Sequence, residues 1–263
     1  MIIVAKKGMS PFCFILIYAT SSRMEFIMKQ LCKLIFPVIL VAFLLLAGNL
    51  AYATYMQLPD TVAIGAARLS YVMHDAKGEI YNLYIIGDNE RFVGARNTTW
   101  RNTENDQIYE AAPYHVYVTG PNSDTAIVQD VDIFGDRDKA NSTERLNLTN
   151  PTYQSGIYLI KGVNGQPDIL VSATQMSASF VDYRFFAIKN GKLRAMKLMF
   201  GDQRTSTKMS GIHTPAYGLD DGTIAIPWFQ SRIPGQVKAG RFISVFMPDF
   251  TNMILIYSYR IND

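Results

Sequence analysis

The chain has 263 residues, of which 25 are Lys or Arg and 22 are Asp or Glu, and this length allows one or two domains. Its cysteines, Cys13 and Cys32, both lie in the first 53 residues, so removal of that region excludes a disulfide framework, a thiol nucleophile and a cysteine metal site. The same region holds five basic residues and one acid, which leaves a net charge of about −1 and excludes a general attraction to nucleic acid.

Residues 1–53 are predicted to be a leader for export. Lys29 and Lys33 precede an uncharged apolar run, Leu34–Ala47, and an A-x-A-like sequence ends at Ala53. A basic region, an apolar core and small residues in this order are typical of a signal peptide. We therefore expect a bacterial protein that is cleaved after Ala53 and is periplasmic, secreted or displayed on the cell surface.

The leader leaves two further questions open. No charge occurs over residues 34–59, so an uncleaved helix over residues 34–50 is a long enough anchor to cross a membrane. The region before the apolar run is too long for an ordinary leader. If translation starts at Met24 or Met28, the leader has the length of a conventional signal peptide.

Residues 54–263 are predicted to form a single all-β domain. Alternating apolar residues predict about a dozen strands at the spacing of a sandwich or a propeller. The pair Asn190-Gly191 is the strongest hairpin signal, because a tight two-residue turn needs positive φ at both positions. No amphipathic helix of useful length is predicted after residue 54. The expected strands are 67–73, 79–87, 114–120, 124–135, 156–162, 167–173, 183–189, 192–200, 222–229, 241–247 and 252–261.

Two polar segments, residues 97–112 and 136–155, are predicted to be surface loops. Within the first of them, residues 101–112 are the best candidate for a short helical turn or loop. Binding residues are often presented by loops on a rigid scaffold, so both segments are candidates for function.

One stretch carries a family resemblance. The sequence "GQPDILVSATQMSASFVDYRFFAIKNGKLRAM", residues 165–196, resembles an FG-GAP-like or VCBS-like blade of bacterial secreted proteins, and "IYNLYIIGD", residues 80–88, resembles the first strand of such a protein. The resemblance covers about one blade and implies propeller-like antiparallel blades. A dozen strands make about three four-stranded blades, fewer than the usual minimum of about four, so such a propeller is incomplete. A β-sandwich remains the alternative. The family's calcium loop carries spaced acids, whereas the corresponding segment of this chain, residues 161–168, has Asp168 as its only acid.

Acidic residues provide the main candidates for a site. Asp130 and Asp132 share one face if their segment is a strand. Convergent carboxylates bind a hard cation such as calcium or carry out glycosidic chemistry, although a solvated strand face has the same pattern. Asp168 is expected to hold a turn by accepting backbone N–H groups. The candidate metal ligands are Asp130, Asp132, Asp136 and Asp138, and no other cofactor is predicted.

The remaining chemistry-bearing residues give weaker signals. His74, His115 and His213 have no metal-motif spacing, and no nucleophile elbow or phosphate loop occurs. A local basic run suggests either a surface for an anionic polymer or, as we favour, the solvated face of a hairpin. The run consists of Arg184, Lys189, Lys192, Arg194, Lys197, Arg204 and Lys208.

These observations favour an exported, non-enzymatic β-scaffold that binds a protein or a glycan in the bacterial envelope. Nucleic acid is not an expected partner, and a membrane is one only through an uncleaved leader. The alternative is a secreted hydrolase of polysaccharide or peptide that uses Asp130, Asp132 or His213.

Overall fold

The computed structural model describes residues 56–94, 106–135, 143–149, 156–176, 180–212, 214–230 and 240–262. All of them belong to one compact unit, Met56–Asp263. The predicted leader lies outside these ranges. Within them, none of the helical structure is long and apolar enough to span a membrane.

The described residues form eighteen strands and one short helix. In chain order the elements are β1 (Gln57–Pro59), α1 (Asp60–Ala66), β2 (Leu69–His74), β3 (Ile80–Gly87), β4 (Arg91–Phe92), β5 (Ile108–Ala111), β6 (Tyr114–Thr119), β7 (Thr125–Val128), β8 (Glu144–Asn147), β9 (Gly156–Ile160), β10 (Ile169–Gln175), β11 (Val181–Lys189), β12 (Lys192–Met199), β13 (Thr205–Ser206), β14 (Met209–Gly211), β15 (Tyr217–Gly218), β16 (Ile224–Gln230), β17 (Gly240–Asp249) and β18 (Ile254–Asn262).

The strands of the described residues form three sheets. Sheet I has five strands in the order β1-β7-β6-β3-β2, and sheet III has three in the order β4-β5-β8. Sheet II has ten strands, ordered β15-β16-β17-β18-β12-β11-β10-β9, with β13 beside β12 and β14 beside β11. Among the described residues every strand pairing is antiparallel except that of β12 with β18, which is parallel. The all-β fold class is therefore confirmed.

Sheet II curls until its two ends approach each other. The hydroxyl of Tyr158 in β9 donates a hydrogen bond to the carbonyl of Ala216, next to β15, at 3.1 Å. The result is a nearly closed, barrel-like sheet. Its interior is filled by apolar side chains from most of its strands, including Val171, Phe185 and Phe246.

Sheet I packs on the outside of this curled sheet. Leu83 and Ile85 of sheet I share a core with Leu170 and Phe186 of sheet II, and sheet III adds Leu146. The other face of sheet I is covered in part by α1, whose Ala63 packs with buried tyrosines. Strands β10 and β11 are thus buried on both faces, which explains their nearly continuous apolar sequences.

The hairpins predicted from the sequence are present. Asn190 and Gly191 have φ values of +52° and +73° and join β11 to β12, as the two-residue turn requires. The antiparallel pairs β2–β3, β6–β7 and β9–β10 are also confirmed. The last strand, β18, lies between β17 and β12 in the interior of sheet II.

Several expectations differ from the structure. A short helix, α1, begins at Asp60, although no helix was expected there, and Ile108–Ala111 is a strand rather than part of a helical turn or loop. Strand β7 ends at Val128, so the predicted strand over residues 124–135 is too long. The described sheets do not show the repeated four-stranded blades of a propeller.

Candidate functional site

A cleft of about 1000 Å³ lies between the β11–β12 hairpin and the segment that follows β7. Its volume is at the upper end of the range typical of small-molecule sites, roughly 300–1,000 Å³. Both cations and carboxylates line it. The charged lining residues are Arg184, Lys189, Lys192, Arg194, Asp130 and Asp132.

The hairpin places two lysines side by side at one end of the cleft. Lys189 and Lys192 are directly opposed in the register of β11 and β12. Like charges at opposed positions repel each other. The ammonium of Lys189 donates a hydrogen bond to the carbonyl of Thr251, which sets its position. This end of the cleft therefore attracts anions.

The segment after β7 forms the opposite wall and is tied to the hairpin by Gln129. Its side-chain oxygen accepts a hydrogen bond from the N–H of Leu193 at 3.1 Å, and its own N–H donates to Val116 at 2.7 Å. Beyond Gln129, the side chains of Val131, Ile133 and Phe134 are buried in the core shared by the sheets. The wall is therefore anchored on both sides.

Asp130 and Asp132 lie on the open side of this wall and line the cleft. Burial alternates here as it does in a strand, although no strand forms. Val131 and Ile133 are buried, whereas Asp130 and Asp132 line the cleft. The carboxylate of Asp132 also accepts the N–H of Gly135, which holds a turn. The structure thus places both acids in one cleft, where their carboxylates form the acceptor side of its lining.

Arg184 is the most unusual residue of the cleft. Its Nη1 is a buried side-chain nitrogen with no hydrogen-bond partner. The guanidinium packs against Gly135 so closely that a Cβ atom there would lie 1.7 Å from Nη2. A buried donor without a partner is costly in free energy, more so when it is charged.

The nearest carboxylate along the same strand face is occupied by other partners. Asp182, two residues before Arg184 on β11, is only 1% exposed. It accepts hydrogen bonds from the Lys208 ammonium and the Ser210 hydroxyl. Arg204, another member of the basic run, forms an ion pair with Asp202. Of the basic run, four residues line the cleft, which the preferred interpretation as a solvated hairpin face did not anticipate.

The other candidates from the sequence have structural partners or lie outside the described residues. Asp136, Asp138 and His213 are among the latter. His115 contacts Asp88 at 3.0 Å. Asp168 accepts N–H groups from Gly162 and His74 at 2.8 and 2.9 Å, which confirms its expected role in holding backbone.

No metal centre emerges from the part of the chain that the structure describes, where no three His, Cys, Asp or Glu side chains are grouped to hold an ion. Sequence reasoning missed Gln129 and Gly135. The signals were a lone polar side chain at the end of an apolar strand and a glycine directly after Phe134. Both indicate a tight structural role, but neither indicates which residue is contacted.

Comparison with protein-family models, with curated proteins and with solved structures finds no match for this chain. The FG-GAP-like resemblance of residues 165–196 therefore stays a prediction.

Proposed function

We propose that this protein is a non-enzymatic β-scaffold that binds a glycan in the cleft beside the β11–β12 hairpin. The observation that carries this proposal is the lining of the cleft, where donors such as Arg184 and Lys192 face a wall with the acceptors Asp130 and Asp132. A sugar ring with several hydroxyl groups needs donors and acceptors together. The core of a protein–protein interface is by contrast depleted of charged residues, which favours a glycan over a protein.

The site is well suited to binding because its supports are rigid. Phe186, at the base of the cleft, is packed between sheets I and II, and the tight turn at Asn190-Gly191 sets the ends of the hairpin. A site on strands is held more firmly than a site on loops. We also propose that the protein acts outside the cytoplasm, as the predicted leader implies, and an N-terminus at Thr54 in secreted material tests that part.

The binding proposal is tested with a matched pair of bulky substitutions on β12. Ala195 is exposed and lines the cleft, whereas Lys197, two residues further along the same strand, is exposed and does not line it. Ala195→Trp fills the cleft, so we expect it to abolish binding of neutral and acidic glycans alike on a glycan array. Lys197→Trp is expected to bind as the unmodified protein does.

Thermal unfolding of both variants checks that each is folded. Equal binding by Ala195→Trp and the unmodified protein, or no binding to any glycan, contradicts the proposal. Release of new reducing ends during incubation, lost in Asp130→Ala or Asp132→Ala, would instead establish the alternative of a hydrolase.

A further inference from the structure

This inference rests on the proposed binding of a glycan in the cleft. The environment of Arg184 then indicates which chemical group of the glycan is recognised. We propose that Arg184 anchors a carboxylate, so that the cleft recognises sugars that bear a carboxylic acid. A guanidinium presents its N–H groups in a planar fork that matches the two oxygens of a carboxylate. Arg184 lines the cleft and its Nη1 has no hydrogen-bond partner, but that nitrogen is buried, so a carboxylate in the cleft reaches the guanidinium at its other N–H groups.

The protein itself supplies no anion to this guanidinium within the described residues. Asp182 points to the same face of β11 but is held by Lys208 and Ser210. None of the ion pairs among the described residues includes Arg184, and the carboxylate of Asp132 accepts the N–H of Gly135. Arg184 therefore keeps its positive charge available to a ligand.

The contact with Gly135 also orients this charge. Since a Cβ atom at position 135 would lie within 2.7 Å of Nη2, Cζ and Nε, the backbone covers that side of the guanidinium. The group is pressed into one orientation before any ligand arrives. Preorganisation of this kind increases affinity, because less side-chain freedom is lost when the ligand binds.

The carboxylates of the cleft favour a singly charged group over a more highly charged one. Asp130 and Asp132 line the same cleft as Arg184, and they repel a phosphate with two negative charges more strongly than a carboxylate. They also accept hydrogen bonds from sugar hydroxyls. A uronic acid, which carries a carboxylate and several hydroxyls on one ring, satisfies both walls at once.

The cations at the end of the cleft extend this recognition along a chain. Lys192 and Arg194 lie on β12 and line the cleft together with Arg184. In an oligosaccharide of uronic acids each ring carries its own carboxylate, so further rings meet further cations. We therefore expect a trimer to bind more tightly than a single uronic acid.

The experiment compares trigalacturonic acid with its methyl ester, a neutral trisaccharide and a sulfated trisaccharide, by calorimetry on the full chain. We expect the acid to bind at least about tenfold more tightly than the ester. Arg184→Gln is expected to lower the affinity for the acid to about that for the ester, so that the preference for the acid is lost. Arg184→Lys keeps the positive charge but lacks the planar fork. Its preference for the acid over the ester should therefore lie between that of the unmodified protein and that of Arg184→Gln.

Lys197→Gln, on β12 but outside the lining of the cleft, is the matched control and should behave as the unmodified protein does. Equal affinity for acid and ester in the unmodified protein overturns the carboxylate anchor but leaves glycan binding intact. This comparison needs no variant, so a folding defect in Arg184→Gln does not affect it. Tighter, Arg184-dependent binding of the sulfated sugar overturns the choice of carboxylate, and absence of all binding overturns the proposed function as well.

Discussion

Gly135 lies directly against the guanidinium of Arg184. A Cβ atom at position 135 would be 1.7 Å from Nη2 and 2.2 Å from Cζ, and the φ angle of Gly135 is +79°. Glycine is therefore required for two separate reasons, its backbone conformation and the close approach of a side chain. The two requirements have different consequences, because the end of an arginine side chain moves easily whereas the backbone does not.

Gly135→Ala is expected to weaken carboxylate binding more than it weakens the fold. The positive φ costs about 1–2 kcal/mol of unfolding free energy for any residue with a Cβ. Relief of the steric overlap moves the guanidinium, so we expect affinity for trigalacturonic acid to fall by about tenfold. Urea unfolding measures the first effect and calorimetry the second.

Gly165→Ala is the matched control for this prediction. Gly165 has nearly the same φ, +78°, but no atom lies within 4 Å of the position of its Cβ. It should lose a similar amount of unfolding free energy and bind the ligand normally. If both variants bind equally well, the contact between Gly135 and Arg184 has no functional consequence.

Asp168 is expected to make stability depend on pH. Its carboxylate is only 2% exposed and accepts hydrogen bonds from Gly162, His74 and Lys161. Burial acts to raise its pKa, but these hydrogen bonds outweigh burial and hold the pKa of Asp168 below its ordinary value. Asp168→Asn should therefore lower the free energy of unfolding at pH 7 by about 2 kcal/mol.

The sign of the pH dependence follows from linkage. In the unfolded chain an aspartate has a pKa of about 3.9, so on acidification the unfolded state binds its proton before the folded state does. The contribution of Asp168 is thus complete above that pH and is lost as the pH falls through the folded pKa. Urea unfolding at pH 7 and pH 3 should show a smaller difference between Asp168→Asn and the unmodified protein at pH 3. Asp220→Asn, at an exposed position, serves as the control, and a difference that is constant with pH contradicts the assignment.

Local patterns predicted the hairpins but not how distant segments meet. The turn at Asn190-Gly191 follows from two residues, whereas the parallel pairing of β12 with β18 joins Lys197 to Ile254 and has no local signal. The candidate cleft likewise depends on contacts between distant segments, which have no local signal. Asp130 faces the hairpin because Gln129 bonds to Leu193, a contact between residues that are far apart in the chain.

Other differences arose because side-chain alternation does not distinguish a strand from an extended segment. Val131 and Ile133 are buried in alternation, yet β7 ends before them at Val128.

Arg184 could have been recognised in the sequence, since it interrupts the apolar sequence of β11. An isolated cation in a strand buried on both faces indicates either an ion pair or a ligand, and the sequence alone does not distinguish them.

Phe185 and Phe186 test whether β11 is packed on both faces. Phe185 is buried inside the curled sheet II, whereas Phe186 is buried against sheet I. Replacement of either by alanine should lower the free energy of unfolding by about 3–5 kcal/mol, because each leaves a cavity in a separate core. Phe229→Ala, at a position that is 40% exposed, should cost less than about 1 kcal/mol. A small effect at one position in urea unfolding would show that the corresponding face of β11 is not a packed core.

Ser172 and Ser210 predict opposite effects of the same substitution. Ser172 is fully buried on β10, opposite Arg184 in the register, and its hydroxyl has no hydrogen-bond partner. Ser172→Ala removes an unsatisfied polar group, so we expect the free energy of unfolding to rise by about 1 kcal/mol. The Ser210 hydroxyl donates to the buried carboxylate of Asp182, so Ser210→Ala should lower that free energy by about 1 kcal/mol. Urea unfolding of both variants measures the two signs, and a loss of stability in Ser172→Ala would mean that its hydroxyl has a partner in solution.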